Sequence, residues 1–173
     1  MTIDNIVLPP PAERARQLAG TLNKVGITSQ VGTPCGILAP LWKYLDTQNE
    51  RERLITISRE DTALSYAAGQ ALAGGYPAVF MQNSGFGNCV NIMASLICPF
   101  KLRVVLIISL RGTGNDTTPE NTEMGKVTAS ILEQWKVPII SLLTPTDEIA
   151  VFELNQNGPM AILISPEYFG WCP

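Results

Sequence analysis

The chain has 173 residues, a net charge of −3 and no histidine, and its length suits one domain with a proper hydrophobic core. It has no basic patch, which argues against a nucleic-acid partner. The lack of histidine excludes Ser-His-Asp and Cys-His catalysis.

The cysteines give no sign of a metal site or of secretion. Cys35, Cys89, Cys98 and Cys172 lie far apart, and no pair has the C-x-x-C spacing of a zinc site. Scattered thiols without a secretion signal predict a reducing, cytoplasmic environment. The longest apolar run, at 104–110, is too short to span a bilayer, so we expect no membrane contact.

Strands and helices alternate along the first half of the chain, as the hydrophobic periodicity and the glycine and proline positions indicate. In order, the sequence predicts a helix closed by Gly26, a strand at 27–32, a helix at 36–48, a strand at 53–58, a helix at 60–73, a strand at 77–82 and a helix near 87–97. Pro40 must fall in the first turn of its helix or bend it.

The second half continues the alternation. It predicts a strand at 103–110, a helix at 122–135, a strand at 138–142, a helix at 146–156 and a strand at 159–165. The strand at 103–110 is apolar throughout, as in a parallel sheet covered on both faces. We therefore predict one three-layer α/β/α domain over residues 1–173, with about six mainly parallel strands.

Four loops that leave the carboxyl ends of predicted strands carry unusual chemistry, and such ends are where sites form in parallel sheets. Their sequences are GTPCG, SREDT, QNSGFGN and RGTGND. The glycines of SGFGN do not form a dinucleotide fingerprint, because Val90 stands where the third glycine would be. A tight strand-to-helix turn with Asn88 as helix cap would explain them without a ligand, although several amides crowd this strand end.

Taken together, the loops resemble those of thiamine diphosphate enzymes. REDTALSYAAGQALAGG, at 59–75, is similar to their glutamate helix, with Glu60, Ala63 and Gly69 at the family spacing. MQNSGFGN resembles the MQNSGxGN segment of phosphonopyruvate and sulfopyruvate decarboxylases. TPCG resembles their V-P-C or V-P-D turn, and SLRGTGNDTTPENTEMGK resembles their R-G loop. One departure is Asn121, which stands where phosphonopyruvate decarboxylases have a histidine.

The resemblance implies a catalytic role for Glu60. In this family the glutamate hydrogen-bonds N1′ of the cofactor's pyrimidine and favours the tautomer that activates the thiazolium ring. The alternative, that Glu60 and Asp61 only stabilise a helix N-terminus, we keep for Asp61 alone.

The resemblance also implies the residues around Glu60. The expected cofactor-binding residues are Glu60, Pro34, Gly85, Phe86 and Asn88. The expected substrate-binding residues are Cys35, Gln82, Asn83, Arg111 and Asn121. Three alternatives stay open: Cys35 as a small buried residue, Phe86 as ordinary core, and Arg111 as an exposed loop arginine rather than a bidentate grip on an anion.

The chain has no G-D-G string, which in these enzymes marks the domain that holds the diphosphate and its metal. The resemblance therefore implies a second subunit that brings the diphosphate site and Mg²⁺, with no metal ligand in this chain. It implies a decarboxylase for a phosphonopyruvate- or sulfopyruvate-like 2-oxoacid, releasing CO₂ and an aldehyde. The alternatives are an acetolactate-synthase-like carboligating subunit and a non-catalytic structural or regulatory subunit.

Overall fold

The computed structural model describes residues 9–47, 54–143 and 157–172. The helices are α1 (Pro11–Lys24), α2 (Ala39–Thr47), α3 (Glu60–Leu72), α4 (Asn83–Asn88), α5 (Val90–Ile92, continued by a π-helical turn at Met93–Ile97) and α6 (Pro119–Gln134), with a 3₁₀ turn at Pro166–Phe169. The strands are β1 (Ser29–Gly32), β2 (Leu54–Thr56), β3 (Pro77–Gln82), β4 (Val105–Ser109), β5 (Ile139–Leu142) and β6 (Met160–Ile164). The helix predicted at 146–156 lies outside the described residues.

The six strands form one sheet in the order β2-β1-β3-β4-β6-β5, and every neighbouring pair is parallel. All residues of β4 and β6 are buried, because helices cover both faces of the sheet. The prediction of a three-layer domain with about six mainly parallel strands is confirmed.

Alternate residues along the central strands enter two separate cores. Phe80 and Ile107 pack in the core beneath α1 and α2, whereas Val79 and Leu106 pack in the core beneath α3, α4 and α6. The two cores fix which side of the sheet each strand-end side chain faces.

The chain changes direction between β1 and β3. The segment after β1 leads to β2 at one edge of the sheet, whereas the segment after β3 leads to β4 on the other side. Loops that leave neighbouring strands in opposite directions open a crevice at their carboxyl ends, where ligands bind in open α/β sheets. The loop after β1 is held to β3 by the Thr33 N–H, which donates to the Phe80 carbonyl at 3.0 Å.

The glycine-rich segment after β3 differs from the prediction. It forms the helix α4 directly, so it is not a turn, and Asn88 is the last residue of that helix rather than the cap of the next one. Neither Gly85 nor Gly87 has a positive φ. Gly85 is required for close packing instead, because a Cβ there would overlap the carboxyl group of Glu60. Pro40 lies in the first turn of α2, as predicted.

Candidate active site

Glu60 is the first residue of α3 and is half-buried at the carboxyl side of the sheet. Its carboxyl group lies against the backbone of Gly85 in α4, in the space that a Cβ would fill. No described residue donates a hydrogen bond to this carboxyl group or pairs with it. Glu60 therefore offers an unused acceptor, partly shielded from water, to a group from outside the described chain.

Asp61 behaves differently from its neighbour. Its carboxylate accepts hydrogen bonds from Arg59, with Nη2–Oδ2 at 2.7 Å, and from the Thr62 N–H at 2.8 Å. The hydrogen bond from Arg59 holds the pKa of Asp61 below its usual range. This local arrangement at the helix N-terminus agrees with the structural role predicted for Asp61.

Cys35 follows β1, beside the exposed Pro34, and is half-buried. Its Sγ lies 3.1 Å from Oγ of Ser109, the fully buried last residue of β4, and that hydroxyl lies 3.4 Å from the Met81 carbonyl. The hydroxyl proton can point to either neighbour, so either the thiol or the hydroxyl can be the donor between Cys35 and Ser109. Burial raises the pKa of Cys35, consistent with a protonated thiol. Sequence reasoning missed Ser109, although it is the one polar residue at the end of an apolar strand.

Gln82 and Asn83 follow one another at the end of β3 but have different surroundings. Gln82 lies beside Ser109 in the sheet register, is half-buried, and has no side-chain partner among the described residues. Asn83 is fully buried. Its Nδ2 donates to the Arg111 carbonyl at 2.8 Å, and its Oδ1 accepts from the N–H groups of Arg111 and Ser84, both at 3.1 Å.

The substrate-binding role predicted for Asn83 stays a prediction. Its amide is hydrogen-bonded to the backbone of the Arg111 loop, which favours a positioning role for this side chain. Asn83 holds the backbone of Arg111 in place at the end of β3.

Phe86 lies in the core of the described chain. Its ring is fully buried and packs edge-on against Trp135, with ring centroids 6.5 Å apart. This position favours the alternative of an ordinary core residue, and the stacking of Phe86 on a pyrimidine stays a prediction. Asn88 is exposed, whereas Asn121, in the first turn of α6, is 7% exposed; neither side chain has a partner among the described residues.

Arg111 is not an exposed loop arginine, because its side chain is only 21% exposed. Its Nε pairs with Asp116, its Nη2 donates to Thr118 Oγ1 at 3.2 Å, and its Cζ lies 4.5 Å from the ring centroid of Trp171. Asp116 is itself buried and accepts from the Gly112 N–H at 2.9 Å.

Asp116 stays ionised in this buried position. Burial alone would raise its pKa, but the hydrogen bonds from Arg111 and Thr118 outweigh burial and hold the pKa well below its usual range. Asp116, Thr118 and Trp171 were given no role from the sequence.

The predicted residues thus gather at one edge of the sheet, in two groups. Glu60 and Gly85 lie on the side of α3 and α4, whereas Cys35 and Gln82 lie on the other side. The Arg111 loop is anchored to the end of β3 by Asn83. The described residues contain no cluster of three or more Cys, Asp or Glu side chains that could hold a metal ion. Nor do the described helices include one long and apolar enough to cross a membrane.

The chain is similar to known proteins over most of its length. The model of the thiamine pyrophosphate enzyme N-terminal TPP binding domain matches residues 13–113. The sulfopyruvate decarboxylase subunit alpha of Methanocaldococcus jannaschii is 36% identical over 144 residues, covering 79% of this chain and 83% of that protein. The corresponding subunit of Methanococcus maripaludis is 29% identical over 150 residues, covering 83% and 89%.

Two further matches are to longer proteins. The phosphonopyruvate decarboxylase of Streptomyces viridochromogenes is 32% identical over 136 residues, covering 78% of this chain and 34% of that protein. Among solved structures, a split gene transketolase, described as an inactive beta4 tetramer, superposes with a TM-score of 0.65 at 15% identity, over 91% of this chain and 50% of that one. That likeness confirms the fold. The family match and the similarity to the alpha subunits together show that this chain belongs to the thiamine pyrophosphate enzyme N-terminal TPP binding domain family.

Proposed function

We propose that this chain is the pyrimidine-binding subunit of a two-component thiamine diphosphate-dependent decarboxylase. Its substrate would be a phosphonopyruvate- or sulfopyruvate-like 2-oxoacid, with CO₂ and an aldehyde as products. The names of the similar alpha subunits and of the phosphonopyruvate decarboxylase support this assignment. The single observation that carries it is the Glu60 carboxyl group, which lies over Gly85 without a partner among the described residues.

The residues present fit the cofactor's pyrimidine. When bound, thiamine diphosphate supplies the electron sink for decarboxylation. Glu60 would share a proton with a ring nitrogen, and a half-buried, charge-assisted hydrogen bond of this kind is strong. Gly85 leaves room for the Glu60 carboxyl group, and Pro34, Phe86 and Asn88 are the remaining cofactor-binding candidates.

The substrate side of the site is built from different residues. Gln82 has an amide without a partner among the described residues, Cys35 presents a neutral thiol, and the Nη1 of Arg111 likewise has no hydrogen-bond partner there. Asn121 is buried near the Arg111 loop, since its carbonyl packs against Gly112. These groups can bind the carboxylate and the second anionic group of such a 2-oxoacid.

A partner subunit is proposed to close the site and to bring the diphosphate site and Mg²⁺. From 62 to 100 the chain has no Asp, Glu, Lys or Arg, although α3 and α5 lie at the surface. Tyr66, Leu72 and Val90 are 44%, 64% and 37% exposed there, and Gly69 has open space above it. We call these four residues the uncharged surface. This surface begins about two turns from Glu60 on the same helix. A low content of charged residues is typical of the cores of protein interfaces.

The test is a Glu60→Gln variant of the enzyme reconstituted with its partner subunit. The glutamine keeps the shape of the side chain but cannot share a proton, so we expect decarboxylation of 3-phosphonopyruvate or 3-sulfopyruvate to fall about 10²- to 10⁴-fold, with assembly retained. Asp61→Asn, one position away, is the matched control and should keep its activity. Full activity in Glu60→Gln would reject the assignment. Condensed products in place of an aldehyde would instead indicate carboligation.

Two features stay predictions. We propose that residues 1–173 act as one domain, and a cytoplasmic location follows only from the pattern of cysteines.

A further inference from the structure

The segment after β6 reaches the candidate site from a part of the sequence that carried none of the motifs. Its 3₁₀ turn is anchored, because Tyr168 and Phe169 are buried and the Arg14 guanidinium donates to the Tyr168 carbonyl. Trp171 follows, half-buried. A Cβ added to Gly36 would lie 3.1 Å from Nε1 of Trp171. Trp171 therefore lies beside the loop that carries Cys35.

Trp171 is joined to the Arg111 loop by two contacts. Its ring lies under the Arg111 guanidinium, with Cζ 4.5 Å from the ring centroid. Its carbonyl accepts a hydrogen bond from Asn115 Nδ2 at 3.0 Å. One turn earlier, Glu167 Oε1 accepts from the Asn115 N–H at 2.6 Å.

Arg111 is therefore held on two sides. Asp116 and Thr118 occupy the side edge formed by Nε and Nη2, and Trp171 covers one face. What remains is the end of the guanidinium, where Nη1 has no partner among the described residues. A guanidinium end presents two parallel N–H groups, which suit a carboxylate, phosphonate or sulfonate.

We infer that Trp171 is a positioning residue that holds Arg111 ready to bind the anionic group of the substrate. This inference rests on the proposed function for the identity of the substrate. An arginine that is already fixed loses little side-chain entropy when the anion binds, so its affinity is higher than that of a free arginine. The buried Asp116 carboxylate lowers the net charge, so that geometry rather than excess charge selects the ligand.

The first test needs only this chain. Arg111 is labelled with phenylglyoxal and its rate is followed by peptide mass spectrometry, with the exposed Arg59 as internal reference. Trp171→Ala uncovers one face of the guanidinium, so we expect Arg111 to react about three- to thirty-fold faster, the range that corresponds to a cation–π contact. Trp171→Phe keeps a ring and should react nearly as slowly as the wild type.

The second test uses the enzyme reconstituted with its partner subunit and either 3-phosphonopyruvate or 3-sulfopyruvate. Trp171→Ala should raise KM about three- to thirty-fold with kcat unchanged, and Trp171→Phe should restore most of the affinity. Glu167→Gln is the matched control, because it disturbs the same segment without touching Arg111, and its KM should stay at the wild-type value.

Three results would overturn the inference. Labelling of Arg111 that is unchanged in Trp171→Ala would show that the ring does not cover it. Faster labelling with an unchanged KM would show that the contact does not serve substrate binding. An equal rise of KM in Glu167→Gln, without rescue by phenylalanine, would show a purely structural segment. If neither 2-oxoacid is turned over by the wild-type enzyme, the proposed function fails, and the labelling result still decides whether Trp171 holds Arg111.

Discussion

At the scale of single residues, the site depends on side chains whose hydrogen-bonding capacity is either fully used or left open. Asn83 and Asp116 are buried, and their polar atoms are occupied by the loop that carries Arg111. Glu60 and Gln82 have no side-chain partner among the described residues. An unpaired polar group that becomes buried costs about 1–3 kcal/mol of stability. The side chains of Glu60 and Gln82 therefore mark where a ligand or another chain completes the site.

The thiol of Cys35 provides a prediction about pH. The hydrogen bond with Ser109 lowers the pKa of Cys35 and so opposes burial, which is the larger effect and raises it. Ser109→Ala removes the lowering effect, so the pKa should rise further. Since the thiolate is the reactive form, the midpoint of iodoacetamide labelling at Cys35 should move to higher pH. Cys98, far from Ser109, serves as the internal control, and a midpoint moved to lower pH would contradict the assigned contact.

At the scale of elements, α3 and α4 are joined by a contact that only glycine permits. Glu60 begins α3 and its carboxyl group fills the space above Gly85 in α4. The position of the Glu60 carboxyl group is thus set by two helices that follow different strands: α3, which carries it, and α4, against which it packs.

Two glycine substitutions separate this contact from ordinary helix propensity. Gly85→Ala must push Glu60 aside, and overpacking of this kind lowers the free energy of unfolding by about 1–3 kcal/mol. Gly69→Ala, in the last turn of α3 with nothing within 4 Å of an added Cβ, should raise it by up to about 1 kcal/mol. Urea unfolding of the chain alone measures both, and a stable Gly85→Ala variant would contradict the described position of Glu60.

At the scale of the whole molecule, the sheet followed from the sequence and part of the site did not. Apolar runs such as 103–110 are explained by burial on both faces, which is a local signal, and the position of Glu60 after β2 follows from the same alternation. Trp171 and Ser109 were missed because their roles arise from contacts between distant segments. The sequence left two roles open for Phe86, because a ring between two glycines has the same local pattern in a core as in a ligand pocket.

The uncharged surface gives the prediction for assembly. Tyr66→Glu and Leu72→Glu each place a charge where the partner subunit is proposed to bury apolar area, so association should weaken by at least about tenfold, or 1.4 kcal/mol. Leu143→Glu is the matched control, because Leu143 is 56% exposed beyond β5 at the far edge of the sheet. Sedimentation of the mixed subunits measures the effect, and equal weakening by all three variants would argue against a specific interface.

The strand order also has a consequence for synthesis on the ribosome. β5 emerges before β6, yet among the described strands it pairs with β6 alone, which lies between β5 and β4. Until β6 has been translated, β5 has no described strand to pair with and the apolar β4 keeps an open edge. Nascent chains paused at this stage would therefore be the species most in need of a chaperone.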